Sequence, residues 1–187
     1  VVPAILLSIL VITGLFAPLI APHDPQKSNL RNRHAQPVWY PDGNWNNILG
    51  ADKHGRDTLS RVIHGARFSL LFASIVIAIS AFVGVPYGMV SGYYGGITDE
   101  IMMRIVDIIF ALPLILLGLA FVVVFGQRLD ILIGLLAFFS WPGTARQVRA
   151  ETLVLKTTDY VSYATTSGAS VWRILFRHIL PGVINTV

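Results

Sequence analysis

The residues best placed to do chemistry are three charges at the head of an otherwise apolar run, Glu100, Arg104 and Asp107. Their i, i+4, i+7 spacing puts them on one helix face, where they can pair with one another. Ionisable side chains inside a membrane span serve ion pathways or proton relays, or else form structural pairs near the interface. These three sit at the end of their run, so the structural pair is the expected role. Five histidines, His23, His34, His54, His64 and His178, are scattered with no metal-ligand pair on one helix face. Asp52, His54 and Asp57 are close enough for a metal, but ordinary loop polarity accounts for them. Ser60, Ser69 and Ser140 lack a His and a carboxylate at diagnostic spacing, which leaves an intramembrane hydrolase as the weakest reading. No Gly-x-x-x-x-Gly-Lys-Ser/Thr element occurs, so by that route the chain does not bind ATP. With no cysteine, disulfides, thiolate metal sites and thiol catalysis are excluded.

The elements that must position these residues are set by hydropathy. Of the 187 residues, 54% are hydrophobic and only 13% charged, against about a quarter charged in soluble domains. Charge is absent from 1–22, from 68–98, from 108–127 and from 131–145. A helix needs about 20 apolar residues to cross the hydrocarbon, so four spans are expected, the last with help from Leu129 and the stem of Arg146. The first run lacks a basic head and is too long for a secretory signal, and therefore reads as a span. The sequence begins without Met and stops as 179–187 turns apolar, the pattern expected of a fragment that includes the start of a fifth span. The net charge of +4 comes without a basic stripe interleaved with aromatics, so basic loops beside spans explain it better than nucleic acid does.

The connections are informative too. Residues 21–68 read as an irregular Pro- and Gly-rich loop that ends in a short amphipathic helix. In that helix Leu59, Val62, Ile63 and Ala66 share a face and Asp57 is the N-cap. In the second span, expected over 69–92, Gly84, Pro86, Gly88 and Gly92 predict close helix approach. Gly95 and Gly96 predict a tight hairpin, and Pro113 predicts a kink in the third span. From Arg146 the chain turns polar again and ends this stretch at Pro181. Two short helices fit there. Thr158 caps the first, with Asp159 in its opening turn and Gly168 in the C′ position. Ser170 caps the second, which carries Trp172, Leu175, Phe176 and Ile179 on one face and Arg173 and Arg177 on its flank. Without a partner, this helix-Gly-helix segment would be an interfacial anchor.

The continuous stretch from Leu49-Gly50-Ala51-Asp52 through Gly55-Arg56-Asp57 to Ser69-Leu70 resembles permease subunits of ATP-binding-cassette (ABC) importers for dipeptides, oligopeptides and nickel. So does Ser91-Gly92-Tyr93-Tyr94-Gly95-Gly96 followed by Asp99-Glu100, Met103-Arg104 and Asp107. The loop with Gly168 and Leu180-Pro181 is similar to that family's cytoplasmic coupling loop, although Ser162-Tyr163-Ala164 stands where Glu-Ala-Ala is usual.

The resemblance implies an all-α membrane protein, a multi-span helix bundle of the importer permease type, with 1–187 a single truncated transmembrane domain. It places 21–68 outside the cytoplasm and makes 146–181 the coupling loop, with Asp159, Tyr160, Ser162, Tyr163, Ala164, Gly168, Arg173 and Pro181 its site residues. It implies a pore-forming, non-enzymatic subunit in the inner membrane that binds no cofactor, ATP and Mg residing in partner subunits. The implied partners are a second permease, two ATPases, an extracytoplasmic solute-binding protein and lipid, and not nucleic acid. Peptides, nickel complexes and glutathione-like solutes are the candidate substrates.

That orientation conflicts mildly with the positive-inside rule. Six basic residues fall inside (Arg104, Arg146, Arg149, Lys156, Arg173, Arg177) and eight outside (Lys27, Arg31, Arg33, Lys53, Arg56, Arg61, Arg67, Arg128). The alternative from another class is an ion-coupled secondary transporter using Arg104 and Asp107 in a broken-helix site.

Overall fold

The computed structural model describes residues 2–184, and among them no β-strand forms. The chain divides into two compact units, one ending at Ala73 and one beginning at Ser74.

In the N-terminal unit, α1 (Val2–Leu15) and α2 (Ala17–Ile20) divide the first uncharged run. Pro18 explains the break, because its ring lacks an amide hydrogen and clashes with the carbonyl four residues earlier. With 14 residues, α1 is about 21 Å long, short of the hydrocarbon thickness. The following loop is irregular, as expected, with single 3₁₀ turns at Leu30–Asn32 and Trp45–Asn47 capped by the Asn29 and Asn44 side chains. One isolated bridge joins Ala51 to Asp57.

Helix α3 (Thr58–Tyr94) starts where this loop ends and runs for 37 residues, about 55 Å. The short amphipathic helix expected over 59–66 is therefore corrected: it forms the opening turns of α3, since nothing between Ala66 and Ser69 breaks the helix. Among the described residues α3 is the one helix long and apolar enough to cross a membrane unaided.

In the C-terminal unit the chain turns tightly at Gly95 and Gly96, both with positive φ. It continues through α4 (Gly96–Ala111) and α5 (Leu114–Phe125). Their axes differ by 65° across Leu112 and Pro113, so the expected kink is a full break. The pair satisfies the length and composition of a span only when counted together.

Helix α6 (Leu129–Leu155) contains Pro142 and outlasts its expected end at Arg146. The polar segment drawn from Arg146 thus begins at Lys156 instead. The reason is local: 146–155 is rich in Arg, Gln, Ala, Glu and Leu and has no Gly or Pro to stop the helix, and Arg146 and Arg149 find acids on α4. Beyond it lie α7 (Asp159–Thr166), α8 (Val171–Ile174), a π-helical turn at Leu175–Ile179 and α9 (Leu180–Ile184). The start of a fifth span expected over 179–187 lies partly outside the described residues.

Helices α3 and α6 touch along a stripe of small residues. A Cβ at Gly84 would come within 2.8 Å of the Trp141 carbonyl oxygen, and one at Gly92 within 2.8 Å of that of Arg149. Gly88 sits equally tightly on the Ala145 carbonyl and the Val148 side chain. The close approach predicted from the glycines is what the packing uses. Ser80 and Thr144 share a 2.8 Å hydroxyl hydrogen bond across the same seam.

Candidate functional site

The 156–184 segment is built on a helix terminus that the sequence specifies. The Gly168 amide donates to the Thr165 carbonyl (3.0 Å) and the Ala169 amide to the Ala164 carbonyl (3.1 Å). These two bonds make a Schellman ending, which requires a left-handed residue at C′. Gly168 supplies it at φ +76°, a conformation that costs other L-residues about 1–2 kcal/mol.

Thr158 and Ser170 hold their expected N-cap positions without side-chain cap bonds, so they are caps by backbone only. The Thr158 hydroxyl donates back to Leu155 instead.

A tight apolar cluster fixes this segment to the rest of its unit. Val161 of α7, Ile174, Leu175, Ile179 and Val183 are buried against Met89 of α3 and Val148 of α6. The face expected to unite Trp172, Leu175, Phe176 and Ile179 is therefore split. Leu175 and Ile179 turn inward, while Trp172 (67% exposed) and Phe176 (51%) face outward, stacked with ring centroids 5.7 Å apart. The inward stripe follows Ile174, Leu175, Ile179 and Val183, which leaves the two aromatics one step around the helix.

The segment also does not end at Pro181, which lies inside α9. A proline there removes an amide and clashes with the carbonyl four residues back, and the wider π turn just before it gives that carbonyl room. Of the expected site residues, Asp159, Tyr160, Ser162, Tyr163, Gly168, Arg173 and Pro181 are exposed and Ala164 is half-buried.

The charge cluster is paired differently from the expectation. Glu100 and Arg104 stand 3.9 Å apart, both largely exposed. Asp107 pairs with Arg146 of α6 at 2.5 Å, and that guanidinium lies 4.7 Å from the centre of the Phe110 ring. Asp107 sits on α4 with Glu100 and Arg104, but its partner comes from the neighbouring helix because α6 carries the cation the sequence could not place.

The stronger pair was missed. Arg149 grips Asp99 with two 2.5 Å bonds, and the Ser91 hydroxyl donates to the same carboxylate. Its signal was the order of charges: Asp99 and Asp107 on one helix meet Arg149 and Arg146 on the other in reverse order, as an antiparallel crossing demands. Nearby, the Lys156 ammonium donates to the Tyr93 carbonyl at 2.9 Å. The Tyr93 turn and the 156–184 segment therefore lie at the same end of the C-terminal unit.

The Leu49–Leu70 stretch is organised by two carboxylates. Asp57 caps α3, accepting from the Ser60 amide (2.8 Å) and hydroxyl (2.7 Å) and from the Asn47 side chain (3.0 Å). Burial pushes its carboxyl up, but the bonds from Ser60 and Asn47 outweigh this and hold it below the usual range. Asp52 accepts from the Arg56 and His54 amides and pairs with Arg56 and Arg61. The Arg56 amide leads the groups that draw its carboxyl far below the usual range. Both carboxylates are thus engaged in shaping the loop.

Residues 84–187 match the family described as the binding-protein-dependent transport system inner membrane component. The chain belongs to this family. The matched region holds the glycine stripe, both inter-helix ion pairs and the 156–184 segment. The chain is 37% identical to the dipeptide transport system permease protein DppC of Haemophilus influenzae over 180 residues, covering 96% of this chain and 61% of that protein. It is 43% identical to the glutathione transport system permease protein GsiD of Pectobacterium atrosepticum over 139 residues, covering 74% and 46%. With GsiD of Escherichia coli O157:H7 the identity is 39% over 188 residues, covering 98% and 59%. The chain thus spans about three-fifths or less of the length of these relatives. As a member of the family it is an all-α protein of the inner membrane, as expected, and these names speak of dipeptide and glutathione but not of nickel. None points to an ion-coupled secondary transporter.

Proposed function

We propose that this chain is the core of a permease subunit of an ABC importer, moving a dipeptide, glutathione or a similar small peptide across the inner membrane. In this reading ATP and Mg are bound by two partner ATPases, a second permease completes the pore, and an extracytoplasmic binding protein delivers the solute. The chain itself has no catalytic role and binds no cofactor.

The observation that carries the reading is the 156–184 segment: a helix ended by a Schellman motif, followed by a second helix, both locked by a buried cluster onto α3 and α6. A rigid element of that kind transmits the motion of a docked ATPase to the spans, whereas a floppy loop would absorb it. Its outward residues, Tyr160, Tyr163, Arg173, Trp172 and Phe176 among them, suit a protein cleft at the cytoplasmic side. Ser162 and Tyr163, standing where Glu and Ala are usual, make that docking surface this subunit's own.

The test is reconstitution of the full-length subunit with its partner subunits and binding protein, measuring ATP-driven uptake of dipeptide and glutathione. Uptake should require all components. Gly168→Val should insert and retain its partner permease but lose solute-stimulated ATP hydrolysis. No atom lies within 4 Å of a Cβ at this site, so the fault would lie in the backbone conformation alone. Gly168→Asn, which tolerates the left-handed region, should keep most of the activity. Normal coupling in Gly168→Val would refute the assignment of this segment.

A further inference from the structure

The N-terminal unit contains a cavity of about 980 Å³ that the transport reading does not use. Its lining includes the basic side chains of Arg56, Arg61, His64 and Arg67 and the apolar ones of Phe68 and Leu71. Pro18 and residues 21–26, around the end of α2, line it as well.

The charges here are unequal in availability. Arg56 and Arg61 share one carboxylate, Asp52, at 2.8 and 2.6 Å, which neutralises one of their two charges. The acid in the lining, Asp24, accepts from the Gln26 amide at 2.8 Å and keeps its charge, which equals in number the one left over on the two arginines. Arg67 forms no ion pair among the described residues, and it is exposed at the cavity mouth.

Position decides what this cation faces. Arg67 is the last charge before the uncharged run 68–98, so it stands where hydrocarbon gives way to water. The uncharged run 1–22 ends at the same cavity. Phe68 and Leu71 are 67% and 55% exposed, on the same helix as Arg67. A free basic group above an exposed apolar groove, at the ends of two uncharged runs, matches an amphiphile with an anionic head and acyl chains.

We infer that this cavity holds the headgroup of an anionic phospholipid, its phosphate on Arg67 and its chains along Phe68 and Leu71. A soluble peptide would use the cation but leave the apolar groove uncovered.

The chain has no cysteine, so one introduced thiol can report on the site. Ser69→Cys, exposed beside Arg67, would carry a fluorophore in the full-length permease assembled with cysteine-free partners in phosphatidylcholine vesicles. Quenching by brominated phosphatidylglycerol would be compared with quenching by brominated phosphatidylcholine. The anionic lipid should be favoured about fivefold, the ratio that one basic residue near the surface confers. Arg67→Gln should bring the two lipids level, and Arg67→Lys should keep the preference. Equal quenching in the parent, quenching by neither lipid, or a preference that survives Arg67→Gln would overturn the proposal. Displacement of the lipid by millimolar phosphate or a soluble tripeptide would assign the site to a free anion and overturn it equally.

Discussion

Asp57 shows how one side chain ties a loop to a span. It is 4% exposed and satisfies the first turn of α3 through Ser60 while holding Asn47. Replacing a capping carboxylate costs about 1–2 kcal/mol, and Asp57→Ala would also strand the Asn47 amide. Hydrogen exchange in the assembled protein should therefore accelerate over residues 58–63 in Asp57→Ala. Because the folded carboxyl titrates below its unfolded value near 3.9, its contribution is complete above that pH and is lost as pH falls through the folded value. Protection of that turn, corrected for intrinsic exchange, should be level from pH 7 to 5 and fall only below about pH 4. Loss of protection already near pH 6 would mean that another group holds the turn. The two inter-helix pairs are likewise unequal. Asp107 and Arg146 are more than half exposed, so Asp107→Ala should cost under about 1 kcal/mol. Asp99 and Arg149 are only 14% and 30% exposed, so Arg149→Ala should fall between that limit and the roughly 3 kcal/mol of a buried pair. Thermal unfolding of the two variants in the same detergent ranks them, and the reverse order would put the structural weight on Asp107.

At the scale of elements, the seam between α3 and α6 depends on absent side chains. Gly88→Leu would drive a branched side chain into the Ala145 carbonyl and Val148, and overpacking of this kind costs about 1–3 kcal/mol or forces the helices apart. Gly143, on α6 with open space around it, is the control. Gly143→Ala should assemble normally while Gly88→Leu should fail to yield the complex in size-exclusion chromatography, and equal yields would mean that the seam is looser than its geometry. This seam was legible in the sequence because spacing alone puts Gly84, Gly88 and Gly92 on one face. Gly168 at its C′ position and a bend at Pro113, though not its full break, were legible for a similar reason, since glycine and proline act on their own backbone. What could not be read was tertiary. The partners of Arg146 and Arg149 are Asp107 and Asp99 from another helix, and the outward turn of Trp172 and Phe176 depends on which neighbours bury Ile174 and Val183. The continuation of α9 through Pro181 needed a π turn, which no local pattern announces.

For the whole molecule, the open quantity is which end of each span faces the cytoplasm. The arithmetic of basic residues mildly favours placing 21–68 inside, and the family resemblance places it outside. Loop charges orient spans chiefly when the loops are short and the residues lie close to the span ends. Of the eight residues that argue against the proposed orientation, Lys27, Arg31 and Arg33 lie far from α3 but close to the end of the first uncharged run, so they count in full. Arg56 and Arg61 are neutralised in part by Asp52. On the opposite side Lys156 is fixed to the Tyr93 carbonyl, so the Tyr93 turn and the 156–184 segment must share one compartment, and a single measurement on either settles both. Since the chain has no cysteine, Ser28→Cys and Thr157→Cys in the full-length subunit each place one thiol on one side. With an impermeant maleimide, Ser28→Cys should react in spheroplasts with an intact inner membrane, and Thr157→Cys only after that membrane is permeabilised. Gly96→Cys, at the turn that shares a compartment with Lys156, should follow Thr157→Cys. If Ser28→Cys is protected and Thr157→Cys reacts, the 156–184 segment faces away from any cytoplasmic ATPase and the proposed importer reading fails with it.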